Sequence, residues 1–225
     1  MRPFIHINCA MSADGKLAGS DRKQVRISSS EDKTRVKGLR MEYDAILVGV
    51  GTIIADNPHL TVKGRSFEEN QIRIVLDPKG RTPKDALVVN DAARTIIVTS
   101  SECTETWDNA DVIRSGENID LVDVMNRLYE TGIGSILVEG GGETISSFFR
   151  LGLVDKYTVF VGNLIIGGRL SPTPVDGDGW VREEGIVLKF ESCEKLGDGA
   201  DDAGKGIDET GDEAKKSAGK VDDFA

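Results

Sequence analysis

Little in this chain suits a membrane, a disulfide framework, a soft metal or a nucleic acid. No apolar run approaches the roughly 18 residues that a membrane-crossing helix requires. The short apolar start is broken at once by His6 and Asn8, which is not the pattern of a signal peptide, so a cytoplasmic setting is expected. Cysteine is scarce: Cys9, Cys103 and Cys193 are odd in number and widely spaced, fitting neither a disulfide scaffold nor a zinc knuckle. Only His6 and His59 could add ligands, so no metal site is expected. Positive charge is also in deficit. Lys and Arg total 28 against 38 acids, a net −10, and a partner made of phosphodiester needs the opposite balance. No internal repeat is visible.

What remains is 225 residues, 39% hydrophobic and 29% charged, enough for one large domain. The acidity is uneven. From Asp198 onward nine acids face four lysines, leaving −5 in the last 28 residues. That stretch is rich in Gly, Ala, Asp and Lys and has too few large apolar side chains to offset the entropy of ordering. Residues 1–197 are therefore expected to fold, and 198–225 to form an acidic, disordered tail.

Within 1–197, strand-like runs alternate with helical spacing. Phe4–Met11, Ala45–Val48, Ile72–Leu76, Thr95–Thr99 and Ser135–Val138 read as strands, and Lys156–Val161 and Ile186–Cys193 follow. Ser28 and Glu31 have capping-box spacing ahead of a helix carrying Val36, Leu39 and Tyr43 on one face. A second helix begins at Asp120 with Leu121, Val124, Met125 and Leu128 on one face, and a third runs from Glu143 to Leu151, stopped by Gly152. Continuous apolar strands separated by helices predict an α/β fold, a mostly parallel central sheet flanked by helices. The last two strands have no helix between them, which predicts an antiparallel C-terminal edge.

Ligands of such sheets sit at the carboxyl ends of the strands. Three of those ends are glycine-rich and polar: Gly49-Val50-Gly51-Thr52 running on to Asp56-Asn57-Pro58, Asp77-Pro78-Lys79-Gly80-Arg81, and Glu139-Gly140-Gly141-Gly142-Glu143-Thr144. Three glycines between strand and helix let backbone N–H groups approach a phosphate, and Lys79 with Arg81 offers paired cations for another. Each loop alone is more often an ordinary tight turn, and Gly49-Val50-Gly51 lacks the third glycine of a dinucleotide fingerprint. Cys9 reads as a small core residue, since no histidine is placed to activate it. Glu139 is the most telling single residue, because a carboxylate ending a buried strand is costly unless something pairs with it.

Taken in order, the motifs resemble a known family. Asn8-Cys9-Ala10-Met11-Ser12-Ala13-Asp14-Gly15-Lys16, Arg26-Ile27-Ser28, Leu39-Arg40, Asp44–Thr52, Ala55–Val62, Val138–Gly142 and Ile165–Gly168 follow the pattern of the pyrimidine reductases of riboflavin biosynthesis. The stand-alone archaeal branch is the most similar, and the resemblance spans about residues 2–197. It implies a dihydrofolate-reductase-like fold, NADPH as cofactor (with NADH possible) and a homodimer. It also implies hydride transfer to C1′ of the ribosylamino group of 2,5-diamino-6-ribosylamino-4(3H)-pyrimidinone 5′-phosphate. The cofactor contacts it implies are Thr52, Asp56, Pro78, Lys79, Gly80, Arg81, Ile119, Gly141, Gly142, Glu143 and Thr144. Substrate contacts would be Asn8, Arg26, Ser28, Arg40, Leu60, Lys63 and Glu139, with Arg40 and Lys63 on the 5′-phosphate.

The resemblance names no general acid, and water is left to deliver the proton. The bacterial counterpart is usually fused to a zinc deaminase, whose H-x-E…P-C-x-x-C signature is missing from this chain. It also tends to carry Lys where Asn8 stands, so Asn8 favours the diamino substrate. Two departures stand out: no apolar strand follows Leu196, and Glu143 occupies a position usually small or neutral. The alternatives are a reductase of the deaminated 5-amino-6-ribosylaminouracil phosphate and a non-catalytic NADP-binding relative.

Overall fold

Seven strands make one sheet in the order β5-β4-β3-β2-β6-β1-β7, and every neighbouring pair is parallel. The structure, a computed structural model, describes residues 1–196 apart from Gln24. The acidic segment 198–225 lies outside the described residues. In chain order the elements are β1 (Phe4–Ser12), α1 (Ser30–Arg40), β2 (Ala45–Gly49), α2 (Val50–Asp56), β3 (Ile72–Leu76), β4 (Thr95–Thr99), β5 (Asp111–Arg114), α3 (Leu121–Glu130), β6 (Ser135–Gly140), α4 (Gly142–Arg150) and β7 (Lys156–Gly162). Among the described helices none is long and apolar enough to cross a membrane.

Alternation along the strands divides the core into two layers. Ile5, Ile7, Leu47, Ile74, Val98 and Val138 face α3 and α4, meeting Val124, Met125, Leu128, Ile145 and Phe148. Those helical side chains are fully buried, each contributing about 1.5–3 kcal/mol relative to exposure. On the other face, Ile46, Val48, Val75 and Ile97 pack against Val50 and Ile53 of α2, with Leu60, Val88, Val89 and Trp107. Asp120 caps α3, accepting from the amides of Val122 and Asp123.

Helix α1 is built differently from the amphipathic helix expected. Only Asp32 among its residues is buried, while Val36 and Leu39 stay half-exposed. The helix covers a polar part of the sheet, so its inward face is polar. Its cap also sits one residue later than the capping-box spacing implied. Ser29, not Ser28, accepts from the Asp32 amide at 3.2 Å.

Among the described residues no antiparallel C-terminal edge is found. α4 carries the chain across the sheet to β7, which pairs parallel with β1 from His6↔Lys156 to Ser12↔Gly162. Residues 186–193 form no strand, and Val187 and Phe190 are 94% and 80% exposed. A hairpin would need a short return after Gly162. Instead the chain runs over the carboxyl ends of the strands, where Leu164 O accepts from Ala13 N and Pro172 O from Leu17 N.

Two buried polar groups on the second face tie the layers together. Arg73 of β3 is fully buried and makes no salt bridge among the described residues, although the charge of Asp91 favours its protonated form. It donates to the carbonyls of Leu87 (3.2 Å), Asn90 (2.6 Å) and Ala93 (2.5 Å), to Asn90 Oδ1 (2.9 Å), and at longer range to His59 O. His6 of β1 meets the Tyr43 hydroxyl at 2.5 Å and the Thr158 hydroxyl at 2.7 Å. Burial, reinforced by the charges of Lys156 and Arg35, holds its pKa down to about 4.

Arg73→Met is expected to lower stability by about 3 kcal/mol in chemical denaturation, because several buried acceptors lose their donor together. His6 makes a pH prediction. The folded imidazole stays neutral to about pH 4 while the unfolded one protonates near its ordinary 6.5. Its contribution is therefore complete above about pH 6.5 and is lost as pH falls toward about 4, at up to about 1.4 kcal/mol per pH unit. Denaturation midpoints measured across that window should fall in the wild-type chain and fall less steeply in His6→Gln.

Candidate active site

The carboxyl ends of β1, β2 and β6 adjoin at the centre of the sheet, where the strand order leaves sequence order. The β2–α2 and β6–α4 loops meet there. A side chain at Gly49 would collide with the Thr144 hydroxyl, and a Cβ at Gly140 would lie 3.1 Å from Thr52 Oγ1. Gly141 has φ 85°, which favours glycine, and serves as the N-cap of α4 without a side-chain cap. The α4 N-terminus thus keeps first-turn amides free of a side-chain cap, with the Thr52 and Thr144 hydroxyls beside the loop, a donor set suited to a phosphate. The Thr173–Asp176 turn closes one side, Asp176 N donating to Gly142 O at 3.2 Å.

Among the expected cofactor residues, Thr52, Gly141, Gly142 and Thr144 therefore come together. Asp56 ends α2 with its carboxyl pKa raised by desolvation. Glu143 is exposed in the first turn of α4, as an ordinary first-turn acid would be. The Pro78–Arg81 turn leaves β3, the strand next to β2. Gly80 packs against Cys103 and Glu105, and Lys79 and Arg81 are exposed. Ile119 packs on the core just ahead of α3.

The substrate candidates lie under and beside α1. Arg40, at its C-terminal end, makes a bidentate pair with Glu139: Nε to Oε1 at 2.8 Å and Nη2 to Oε2 at 2.6 Å. The Glu139 side chain is only 8% exposed, so Arg40 answers the burial cost noted in the sequence. Burial disfavours the Arg40 charge, and Glu139 offsets this and keeps the guanidinium protonated. Arg40, expected on the 5′-phosphate, is thus engaged by Glu139 in this structure while its side chain keeps 25% exposure. One strand over, Asn8 accepts from Arg35 Nη2 at 2.9 Å, and Arg35 Nε donates to Asp32 at 2.9 Å.

Between α1 and the segment after α2 opens a cleft of about 360 Å³, lined by Lys33, Val36, Lys37, Arg40, Thr61, Val62 and Lys63. It holds four cations and no carboxylate in its lining. Among the described residues Lys33, Lys37 and Lys63 have no ion-pair partner. Lys63 was expected here. Lys33 and Lys37 were missed, although their one-turn spacing, with Arg40 three residues on, places all three cations along one side of a helix.

Leu60 is buried among Val48, Val50 and Ile53 with φ 50°, a strained backbone position directly before Thr61 of the cleft lining. Arg26 and Ser28 lie in the irregular segment leading into α1. Asp14 accepts from the Ser12 hydroxyl at 2.6 Å and from the amides of Ile166 and Gly167, which depress its pKa to about 2 and make it a loop clamp. Cys9 is buried beside the Tyr157 hydroxyl, and burial pushes its thiol up to about 11. Among the described residues no group of three His, Cys, Asp or Glu could hold a metal ion.

The RibD C-terminal domain family model matches residues 3–200. The 2,5-diamino-6-ribosylamino-4(3H)-pyrimidinone 5′-phosphate reductase of Archaeoglobus fulgidus is 38% identical over 214 residues, covering 88% of this chain and 96% of that protein. The reductase of the same name from Methanothermobacter thermautotrophicus is 39% identical over 199 residues, covering 85% and 91%. Among solved structures, the diaminohydroxyphosphoribosylaminopyrimidine deaminase/5-amino-6-(5-phosphoribosylamino)uracil reductase of Thermotoga maritima superposes with a TM-score of 0.71 at 31% identity, over 86% of this chain and 54% of that one. On the strength of a match running through the sheet, both glycine loops and the cationic cleft, the chain belongs to the RibD C-terminal domain family.

Proposed function

We propose that this chain is an NADPH-dependent reductase of riboflavin biosynthesis. Its substrate is 2,5-diamino-6-ribosylamino-4(3H)-pyrimidinone 5′-phosphate, reduced at C1′ to the ribitylamino compound. The observation that carries this reading is the lysine-lined cleft beside Asn8 and Glu139. A protein of net charge −10 keeps three lysines without an ion-pair partner among the described residues there, beside the Glu139-paired Arg40, and a phosphate dianion is the ligand that relieves their repulsion.

The residues present fit the cofactor. Thr52, Gly141, Gly142 and Thr144 would hold its pyrophosphate at the start of α4, and the exposed Lys79 and Arg81 suit a 2′-phosphate. Bound there, the cofactor supplies a hydride. The protein's part is to hold the substrate with C1′ facing it and to exclude water from the opening between α1 and the two loops. Lys33, Lys37 and Lys63 anchor the phosphate, while the Arg40–Glu139 pair walls the ribose side. What the cofactor would supply is a hydride for C1′ of the ring-opened imine, with the C=N π electrons passing to the exocyclic nitrogen and water providing its proton. The same reading makes the enzyme a cytoplasmic homodimer.

Loss of nicotinamide absorbance, followed with each pyrimidine in turn, tests this. Turnover of the diamino compound is expected. Turnover of the deaminated compound alone would transfer the activity to that substrate, and cofactor binding without turnover of either would end the enzyme reading. For the phosphate seat, Lys37→Gln and Lys63→Gln should each raise KM for the phosphorylated pyrimidine about 10-fold or more. KM for NADPH should stay near the wild-type value, and the dephosphorylated pyrimidine should not distinguish the variants from wild type. Arg40→Ala is the poorer probe, because it also strands Glu139.

A further inference from the structure

We infer that Arg35 positions the Asn8 amide with its NH2 group facing the substrate, so that Asn8 donates to an acceptor on the edge of the pyrimidine. This rests on the pyrimidine reading above. Arginine has no acceptor atom, so the Asn8 atom it meets at 2.9 Å is the carbonyl oxygen Oδ1. The amide nitrogen is left as the available end, and it takes no partner among the described residues. Asn8 is only 5% exposed, yet its Nδ2 is not among the buried side-chain atoms left without a partner, so the NH2 group keeps an opening through which an acceptor can reach it. The ligand completes the pair.

Arg35 has little freedom to let the amide turn. Its Nε and Nη2 both lie on Asp32 Oδ1, at 2.9 and 2.7 Å, and Asp32 is 1% exposed. Ser29 in turn holds the Asp32 amide. The first turn of α1 thus runs as a chain of hydrogen bonds, Ser29 to Asp32 to Arg35 to Asn8, and ends on the side chain of a central strand. Parallel register places Asn8 one step beyond the Ile7↔Val138 pair, beside Glu139.

The polarity of that amide says what it recognises. The diamino ring, protonated at N3, offers the outward donors of Asn8 two acceptors, N1 and the 4-carbonyl oxygen. The deaminated ring keeps the 4-carbonyl but carries a proton on N1. An amide set on N1 favours the diamino compound, and one set on the 4-carbonyl accepts both.

Two variants test this. Asn8→Asp keeps an oxygen for Arg35 but presents a second acceptor in place of the donors. With the wild-type chain turning over at least one pyrimidine, kcat/KM should fall about 30-fold; a similar fall on both compounds assigns the amide to the 4-carbonyl, and a fall on the diamino compound alone assigns it to N1. KM for NADPH and the melting temperature should be little changed. Arg35→Lys keeps the charge against Asp32 but loses the planar fork, so it should raise KM for the pyrimidine about 10-fold with the fold intact by circular dichroism. A loss confined to the deaminated compound would place the amide against the 2-carbonyl and overturn both assignments. Unchanged kinetics in either variant, beside an active wild type, would remove it while leaving the reductase reading standing. An inactive wild type would remove both.

Discussion

A carboxylate at the end of a central strand sets the terms for this molecule. Glu139 closes β6, in the middle of a seven-stranded sheet and mostly screened from water, so it requires a cation held at fixed distance. Arg40 is that cation, and meeting Glu139 with both branches of its guanidinium seats the C-terminal end of α1 over the sheet. Arg35 seats the middle of the same helix on Asn8. A helix fastened by two arginines, and not by a row of leucines, leaves an opening along its flank, and that opening is the cationic cleft. Affinity for a polar ligand and the polar anchoring of α1 are thus one arrangement.

Much of the architecture could be read in advance where the sequence is monotonous. Residues 74–76 and 96–98 are unbroken runs of branched apolar residues, and such runs fit strands covered on both faces. Asp120 followed by an apolar stripe announced α3 together with its cap. Reading failed where local pattern and tertiary demand diverge. β5 is a four-residue edge strand with a charge at each end, too short and too mixed to register. α2 begins directly after Gly49, so its glycines looked like a turn and its helical register was missed. The C-terminal edge went wrong for a topological reason: missing helical spacing between two extended runs says nothing about whether the second run finds a partner.

The same contrast holds at the site. Glu139 stood out because burial makes an unpaired carboxylate expensive, a cost visible in one dimension. That Arg40 would meet it is a fact about how α1 crosses the sheet. Lys33 and Lys37 look like ordinary surface charges until Lys63 is brought opposite them by the loop after α2. Arg73, whose partners are carbonyls from His59 to Ala93, offered no pattern at all, because backbone acceptors leave no trace in residue type.

The strand order also bears on how the chain comes to exist. β1 lies between β6 and β7, its register beginning at Phe4↔Ser135 and His6↔Lys156. During synthesis β1 therefore finds neither of its neighbours until Ser135 and Lys156 have been made. Until then its apolar residues and unpaired backbone stand open beside β2, whose inner edge awaits the same late arrival. Assembly of the centre is delayed until β6 slots between them, and long-range pairing of this kind is slow and exposed to misassociation. The nascent protein is thus most dependent on chaperoning in the interval before residue 140 leaves the ribosome.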